Sequence, residues 1–115
     1  MSQRVDALLP LTDVVYHVLL SLSQEARHGY GIIKDVGERT GGRLELEAGT
    51  LYAAIRRLRN DGLIEESPAP AGTDSRRRYY ELTGFGREVL RAESERLAEL
   101  VDLARAARVF SEGGL

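Results

Sequence analysis

The last quarter of the sequence carries a helical pattern too long for the body it belongs to. Behind Thr83, a natural N-cap, the pattern runs from about Gly84 to Arg108, with Leu90, Leu97 and Ala104 seven apart and Leu100 and Ala107 in a parallel row. About 25 residues at ~1.5 Å each make a helix of roughly 37 Å. A compact body of 115 residues is only about 34 Å across. The helix must therefore project, and seven-residue spacing on a projecting helix predicts a partner helix, by symmetry most often from a second copy. Glu93 and Ser94 interrupt the row, which suits a bundle contact better than a long zipper. Leu90, Leu97, Leu100, Val101, Ala104 and Ala107 are the candidate dimerisation residues.

A chain of this size buries only about 65% of its unfolded surface, so a partner chain is expected on that ground too. Hydrophobic residues at 43% and charged residues at 30% describe a soluble globular protein. No apolar run approaches the roughly 20 residues that cross a bilayer, and the first residues lack the basic-then-apolar layout of a signal peptide. With no cysteine, disulfides and zinc–thiolate sites are excluded. A cytoplasmic protein is expected, without membrane association.

The net charge of −2 hides a division along the chain. Residues 1–47 carry five basic and seven acidic groups, and residues 81–115 the same. Residues 48–80 carry six arginines against Asp61, Glu65, Glu66 and Asp74, a balance of +2. The arginines form two knots, Arg56, Arg57 and Arg59, then Arg76, Arg77 and Arg78. The planar guanidinium fork suits phosphate oxygens and guanine edges.

Those knots fall on recognisable elements. A first helix is predicted from Thr12, its N-cap, to about Leu22, with Val14, Val15, Val18, Leu19 and Leu22 on one stripe. A second runs from His28–Gly29 to Arg39, with Tyr30, Ile33, Val36 and Ile32 as candidates for its buried side and Tyr30 placed either in the core or on the DNA backbone, and stops at Thr40–Gly41–Gly42. Arg43 to Glu47 alternates polar and apolar, enough for a very short strand. In the third helix, Ala48 to Asp61, Leu51, Ile55 and Leu58 define the core face. Gly49, Ala53, Arg56 and Asn60 lie opposite, with Tyr52 and Arg59 on one flank and Thr50 and Arg57 on the other. Gly62 closes it. Leu63 to Ser67 reads as a strand, residues 68–75 as a turn-rich connection, and Arg76 to Leu82 as the returning arm of a hairpin.

Helix, helix, short strand, arginine-bearing helix and basic hairpin is the order of a winged helix-turn-helix. In that design the third helix enters the major groove and the wing rests on the backbone. The expected fold is mainly α with a small β-hairpin: a DNA-binding domain over residues 1–82 and a dimerisation helix with its tail over 83–115. Thr50, Tyr52, Ala53, Arg56, Arg57, Arg76, Arg77 and Arg78 are the candidate DNA-binding residues.

The chain also resembles the PadR-like transcriptional regulators. The resemblance is carried by Leu11–Thr12–Asp13, by His28–Gly29–Tyr30–Gly31–Ile32–Ile33, by Gly49–Thr50–Leu51–Tyr52 through Arg57–Leu58 to Asp61–Gly62–Leu63–Ile64, and by Arg78–Tyr79–Tyr80–Glu81–Leu82–Thr83 with Gly86. It implies a homodimeric repressor on a pseudo-palindromic operator in double-stranded DNA, of the short subgroup with a single trailing helix that swaps across the dimer. It also implies backbone contacts from Thr50 and Tyr52 and phosphate contacts from Arg77 and Arg78. Glu47 and Ala48 depart from the small polar residue and proline common in the family. The tryptophan with which multidrug-sensing relatives clamp flat ligands is absent.

Other readings compete at single sites. Asp13 and His17, four apart, form at most half a metal site, and His28 is expected to cap or orient the second helix. No glycine loop has the spacing that cradles phosphates, and no nucleophile adjoins a base in the sequence. No enzyme activity, cofactor or metal is expected. A small apolar or aromatic effector could enter between the crossed last helices and the first, lined by Val15, Leu97 and Val101. The alternatives are a winged-helix protein–protein adaptor without DNA binding, and a small-molecule sensor or enzyme using the dimer cavity.

Overall fold

A computed structural model describes residues 3–73 and 76–110 (the side chain of Gln3 excepted). Its elements run α1 (Gln3–Ala7), α2 (Asp13–Ser21), β1 (Arg27–His28), α3 (Gly29–Arg39), α4 (Ala48–Asn60), β2 (Ile64–Ser67), β3 (Tyr79–Leu82) and α5 (Gly84–Ala106). The predicted winged architecture is present: helices over a small antiparallel sheet, with a long helix trailing away. The molecule measures 51 × 34 × 25 Å.

Local chemistry explains the helix ends. Thr12 Oγ1 accepts from Val15 N at 3.2 Å, His28 Nδ1 from Gly31 N at 3.0 Å and Thr83 Oγ1 from Gly86 N at 3.0 Å. Each satisfies an otherwise orphaned first-turn donor. Gly62, at φ 78°, takes the left-handed exit behind α4. Glu47, at the N-cap of α4, makes no side-chain capping bond.

The core joins Val18, Leu19 and Leu22 with Ile32, Val36, Leu51, Ile55, Leu58 and Leu63, all buried. The first half of α5 belongs to it, contributing Val89, Leu90 and Ala92. Gly86 is where this half comes closest: a Cβ there would collide with the Leu63 carbonyl oxygen and lie 3.0 Å from its carbon. The same crossing is fastened by Thr83 N donating to Leu63 O at 3.1 Å and Thr83 Oγ1 to Gly62 O at 2.6 Å.

The sheet differs from expectation. It has three strands in the order β1–β3–β2, both pairings antiparallel. The segment Arg43 to Glu47 forms no strand; its alternation instead places Leu46 in the core and Leu44 half-buried against it. The free edge of β3 is taken by Arg27 and His28, which face Tyr80 and Tyr79. The returning arm also pairs later than expected. Its ladder begins at Tyr79, opposite Ser67, because Pro68 follows with no N–H to offer. Arg76, Arg77 and Arg78 thus precede the strand, and with β3 central both Tyr79 and Tyr80 are buried. Of the two places open to Tyr30, the structure takes the outer one, leaving it 64% exposed, while Ile32 is buried as one of the candidates for that side.

The last helix ends at Ala106 rather than Arg108, which sits in the left-handed region at φ 62°. α5 is therefore about 34 Å long.

Candidate nucleic-acid interface

α4 buries Leu51, Ala54, Ile55 and Leu58 and turns the rest outward. Gly49, Thr50, Tyr52, Ala53, Arg56, Arg57, Arg59 and Asn60 are all exposed. Small residues at 49, 50 and 53 leave the backbone approachable, and the arginines rise beyond them. The two flanks part as the spacing predicts. Tyr52, Arg56, Arg59 and Asn60 line a groove of about 470 Å³ floored by Ile55 and Tyr80. Arg57 lies on the other side, beside Thr12 and Asp61. Among the described residues the Arg56 and Arg57 side chains have no ion-pair or hydrogen-bond partner.

Across the groove stands the wing. A second trough, lined by His28, Gly29, Tyr30, Tyr52, Arg77, Arg78 and Tyr80, joins α4 to it. Tyr52 lies over the start of α3 so closely that a Cβ on Gly29 would collide with its hydroxyl and stand 2.9 Å from its Cζ. Glycine at 29 is what lets the Tyr52 ring lie there. Arg77 Nη1 sits 3.2 Å from His28 Nδ1 and 3.3 Å from Nε2. Nearly equal distances to both ring nitrogens place the guanidinium against the ring instead of on one lone pair, and Nδ1 is already the α3 cap. The His28 ring also stacks on Tyr30, 6.4 Å between centroids, and meets Tyr79 edge-on at 5.2 Å.

Arg78 is held differently. It donates to Glu66 Oε2 at 3.0 Å, and Arg59 Nη1 lies 3.3 Å from the same oxygen. Burial, then the Glu66 charge, push the Tyr80 phenol above its ordinary range. Tyr30, which the sequence left between core and backbone contact, lies at the trough, and Glu66, which binds Arg59 and Arg78, is the residue that sequence reasoning passed over. The hairpin register supplies what the sequence alone did not: Glu66 faces Tyr80 across the ladder, diagonal to Arg78, where opposite charges attract.

The other candidates lie elsewhere. Leu90, first in the seven-residue row, is only 8% exposed within its own chain's core. The open part of that row starts at Leu97, with Leu100, Val101 and Leu103 beside it, all exposed. Ala104 is half-buried, and Ala107 caps the helix from outside it. Val15 is half-buried beside Leu8, Leu11 and Leu58. Glu93 and Ser94, which interrupt the row, hold α5 to α2 and its approach. Buried Glu93 accepts from Leu11 N at 2.9 Å and from Arg96 at 2.6 and 3.0 Å. Ser94 Oγ meets the Tyr16 hydroxyl at 2.8 Å. Asp13 and His17 line a groove with Arg39 and Arg43, cations that disfavour a metal there. No cluster of three or more metal-ligating side chains occurs among the described residues. No helix among them is long and apolar enough to cross a membrane.

Comparison with known proteins agrees with this geometry. A family model described as the transcriptional regulator PadR-like family matches residues 18–92. A PadR family transcription regulator from Clostridium difficile is similar in structure, with a TM-score of 0.71 and 25% identity, over 83% of this chain and 97% of that one. A PadR-like transcription factor from Bacteroides fragilis gives a TM-score of 0.68 at 30% identity, over 82% and 88% of the two chains. Bacillus subtilis PadR, solved in complex with operator DNA, shares the fold with a TM-score of 0.61 at 24% identity. That match covers 72% of this chain but only 47% of the Bacillus protein.

Proposed function

Because the chain belongs to the transcriptional regulator PadR-like family, we propose that it is a sequence-specific DNA-binding regulator, a homodimer that represses from a pseudo-palindromic operator. The observation that carries this reading is the outer face of α4. Thr50, Ala53, Arg56 and Arg57 are exposed there, the two arginines without internal partners, beside a wing that presents three more. Arg56 reads base edges in the major groove, with Arg57 next to it. Thr50 and Tyr52 set the register on the backbone. Arg76, Arg77 and Arg78 add affinity that carries no sequence information.

Dimerisation follows from the open apolar stretch of α5. Leu97, Leu100, Val101 and Leu103 lie on a helix that has left its own core, and a second copy of the same helix covers them most simply. Two copies of α4 then face successive major grooves, about 34–36 Å apart on one side of the duplex. Effector release is the finest part of the proposal, and it requires the dimer to bring Val15 together with Leu97 and Val101.

Selection from a pool of random duplexes tests the reading. The expected outcome is enrichment of an inverted repeat with half-sites about one helical turn apart. Recovery of unrelated sequences after repeated rounds would leave the adaptor reading in its place.

A further inference from the structure

We propose that Glu66 is an internal competitor for the DNA backbone: its carboxylate occupies Arg59 of α4 and Arg78 of the wing, and a phosphate must displace it from both. The inference rests on the reading of α4 and the wing as the DNA-binding face.

One oxygen holds both arginines. Oε2 of Glu66 accepts from Arg78 Nη1 at 3.0 Å and lies 3.3 Å from Arg59 Nη1. Two guanidinium groups from different elements, α4 and the wing, converging on one anionic oxygen, form the arrangement that seats a phosphate oxygen. Here a carboxylate fills the seat. Arg59 lines a groove with Arg56, and Arg78 lines the neighbouring trough with Arg77, so a strand lying between α4 and the wing meets both partners of Glu66.

The three side chains differ in their freedom to move. Glu66 sits in β2 with Tyr80 as its ladder partner, so its backbone is fixed by the sheet. Arg59 and Arg78 are long and flexible, and their side chains are 46% and 71% exposed. Exposed pairs of this kind are weak and exchange readily. When DNA arrives, the arginines swing to phosphate and the carboxylate stays behind, close to the strand and repelling it. Phosphates carry no base identity, so the penalty falls on operator and non-operator DNA alike. Glu66 thereby lowers non-specific affinity and leaves discrimination to the base-edge contacts.

The test is Glu66→Gln in the full chain, with circular dichroism to confirm folding. Fluorescence anisotropy is read on a selected duplex and on its shuffled counterpart across a salt series. Both affinities are expected to rise together, on the order of 10-fold at low salt, and the salt slope to steepen by about one to two. Arg78→Ala should also cost more affinity in the Glu66→Gln background than in the unmodified protein. Unchanged or weaker binding by Glu66→Gln overturns the proposal, and a loss would make Glu66 a positioning residue for the two arginines. If the unmodified protein binds no duplex, the DNA reading itself fails and Glu66 has nothing to compete with. Wild-type binding with no gain in the variant sinks the Glu66 proposal alone.

Discussion

The Glu93 carboxylate in α5 accepts a hydrogen bond at 2.9 Å from the backbone N–H of Leu11, 82 residues earlier in the chain. The same carboxylate binds Arg96 through both its oxygens. A charged group that is 1% exposed is tolerable only when paired and hydrogen-bonded. It fastens the trailing helix to the approach to α2 at the point where that helix begins to leave the body.

This bond makes stability depend on pH. The Arg96 hydrogen bonds, with help from Leu11 N–H and against the opposing effect of burial, hold the Glu93 carboxyl below its ordinary value. A carboxyl depressed in the folded state contributes stability that is fully present above the ordinary glutamate range and is lost as the pH falls through the folded value. Asp35 adds to the trend: burial raises its pKa, but the bond from Arg39 and the charge of Arg27 outweigh it. Urea unfolding of Glu93→Gln between pH 3 and 7 should show a flatter profile than the unmodified protein. Glu93→Ala, which leaves the Leu11 N–H unsatisfied, should cost about 2 kcal/mol at neutral pH.

Gly86 offers a sharper packing test. The atom that a Cβ would strike is the Leu63 carbonyl oxygen, part of the backbone and unable to rotate away. Gly86→Ala should therefore destabilise the fold by about 3 kcal/mol, although alanine is the better helix former. A melting curve checks this, with a clear fall in Tm expected.

What the sequence made legible, and what it did not, follows from the range of each interaction. Thr12, His28 and Thr83 are readable as caps because each bonds an N–H three residues on. The outward face of α4 follows from helical period alone. By contrast, β1 has only two residues and exists because β3 offers it an edge. The alternation at Leu44 and Leu46 has the period of a strand but finds no partner. Glu93 and Ser94 look like flaws in an apolar row because their partners, Leu11 and Tyr16, lie about eighty residues away. Leu90 has the right spacing for a partner chain, but it lies on the part of α5 that packs on its own domain. Glu66 counts as one acid among the middle arginines until the hairpin register places it between two of them.

The outer stretch of α5 should control oligomeric state without affecting the fold. Leu100 is 50% exposed in the single chain, so Leu100→Asp removes nothing from the core. Sedimentation equilibrium should show the unmodified protein as a dimer and this variant shifted to monomer at micromolar concentration. Its circular dichroism should stay unchanged, and its operator affinity should drop by at least tenfold, because each half-site then binds alone.

Arg56 and the wing should separate specificity from affinity. Arg56→Ala should relax discrimination at one base position by about 1–3 kcal/mol. Arg77→Ala should weaken operator and shuffled duplexes alike and lower the salt slope by about one. Binding curves on a panel of single-base operator variants distinguish the two effects.

Whether α4 and the wing form a DNA-binding face is decided by the response of binding to salt. Fluorescence anisotropy of the intact protein on a selected duplex and on its shuffled counterpart should be measured at two ionic strengths. Counterion release predicts preference for the selected duplex and an affinity for either that falls steeply as salt rises. Equal, weak binding that barely responds to salt would contradict the account and point to a protein partner for this surface.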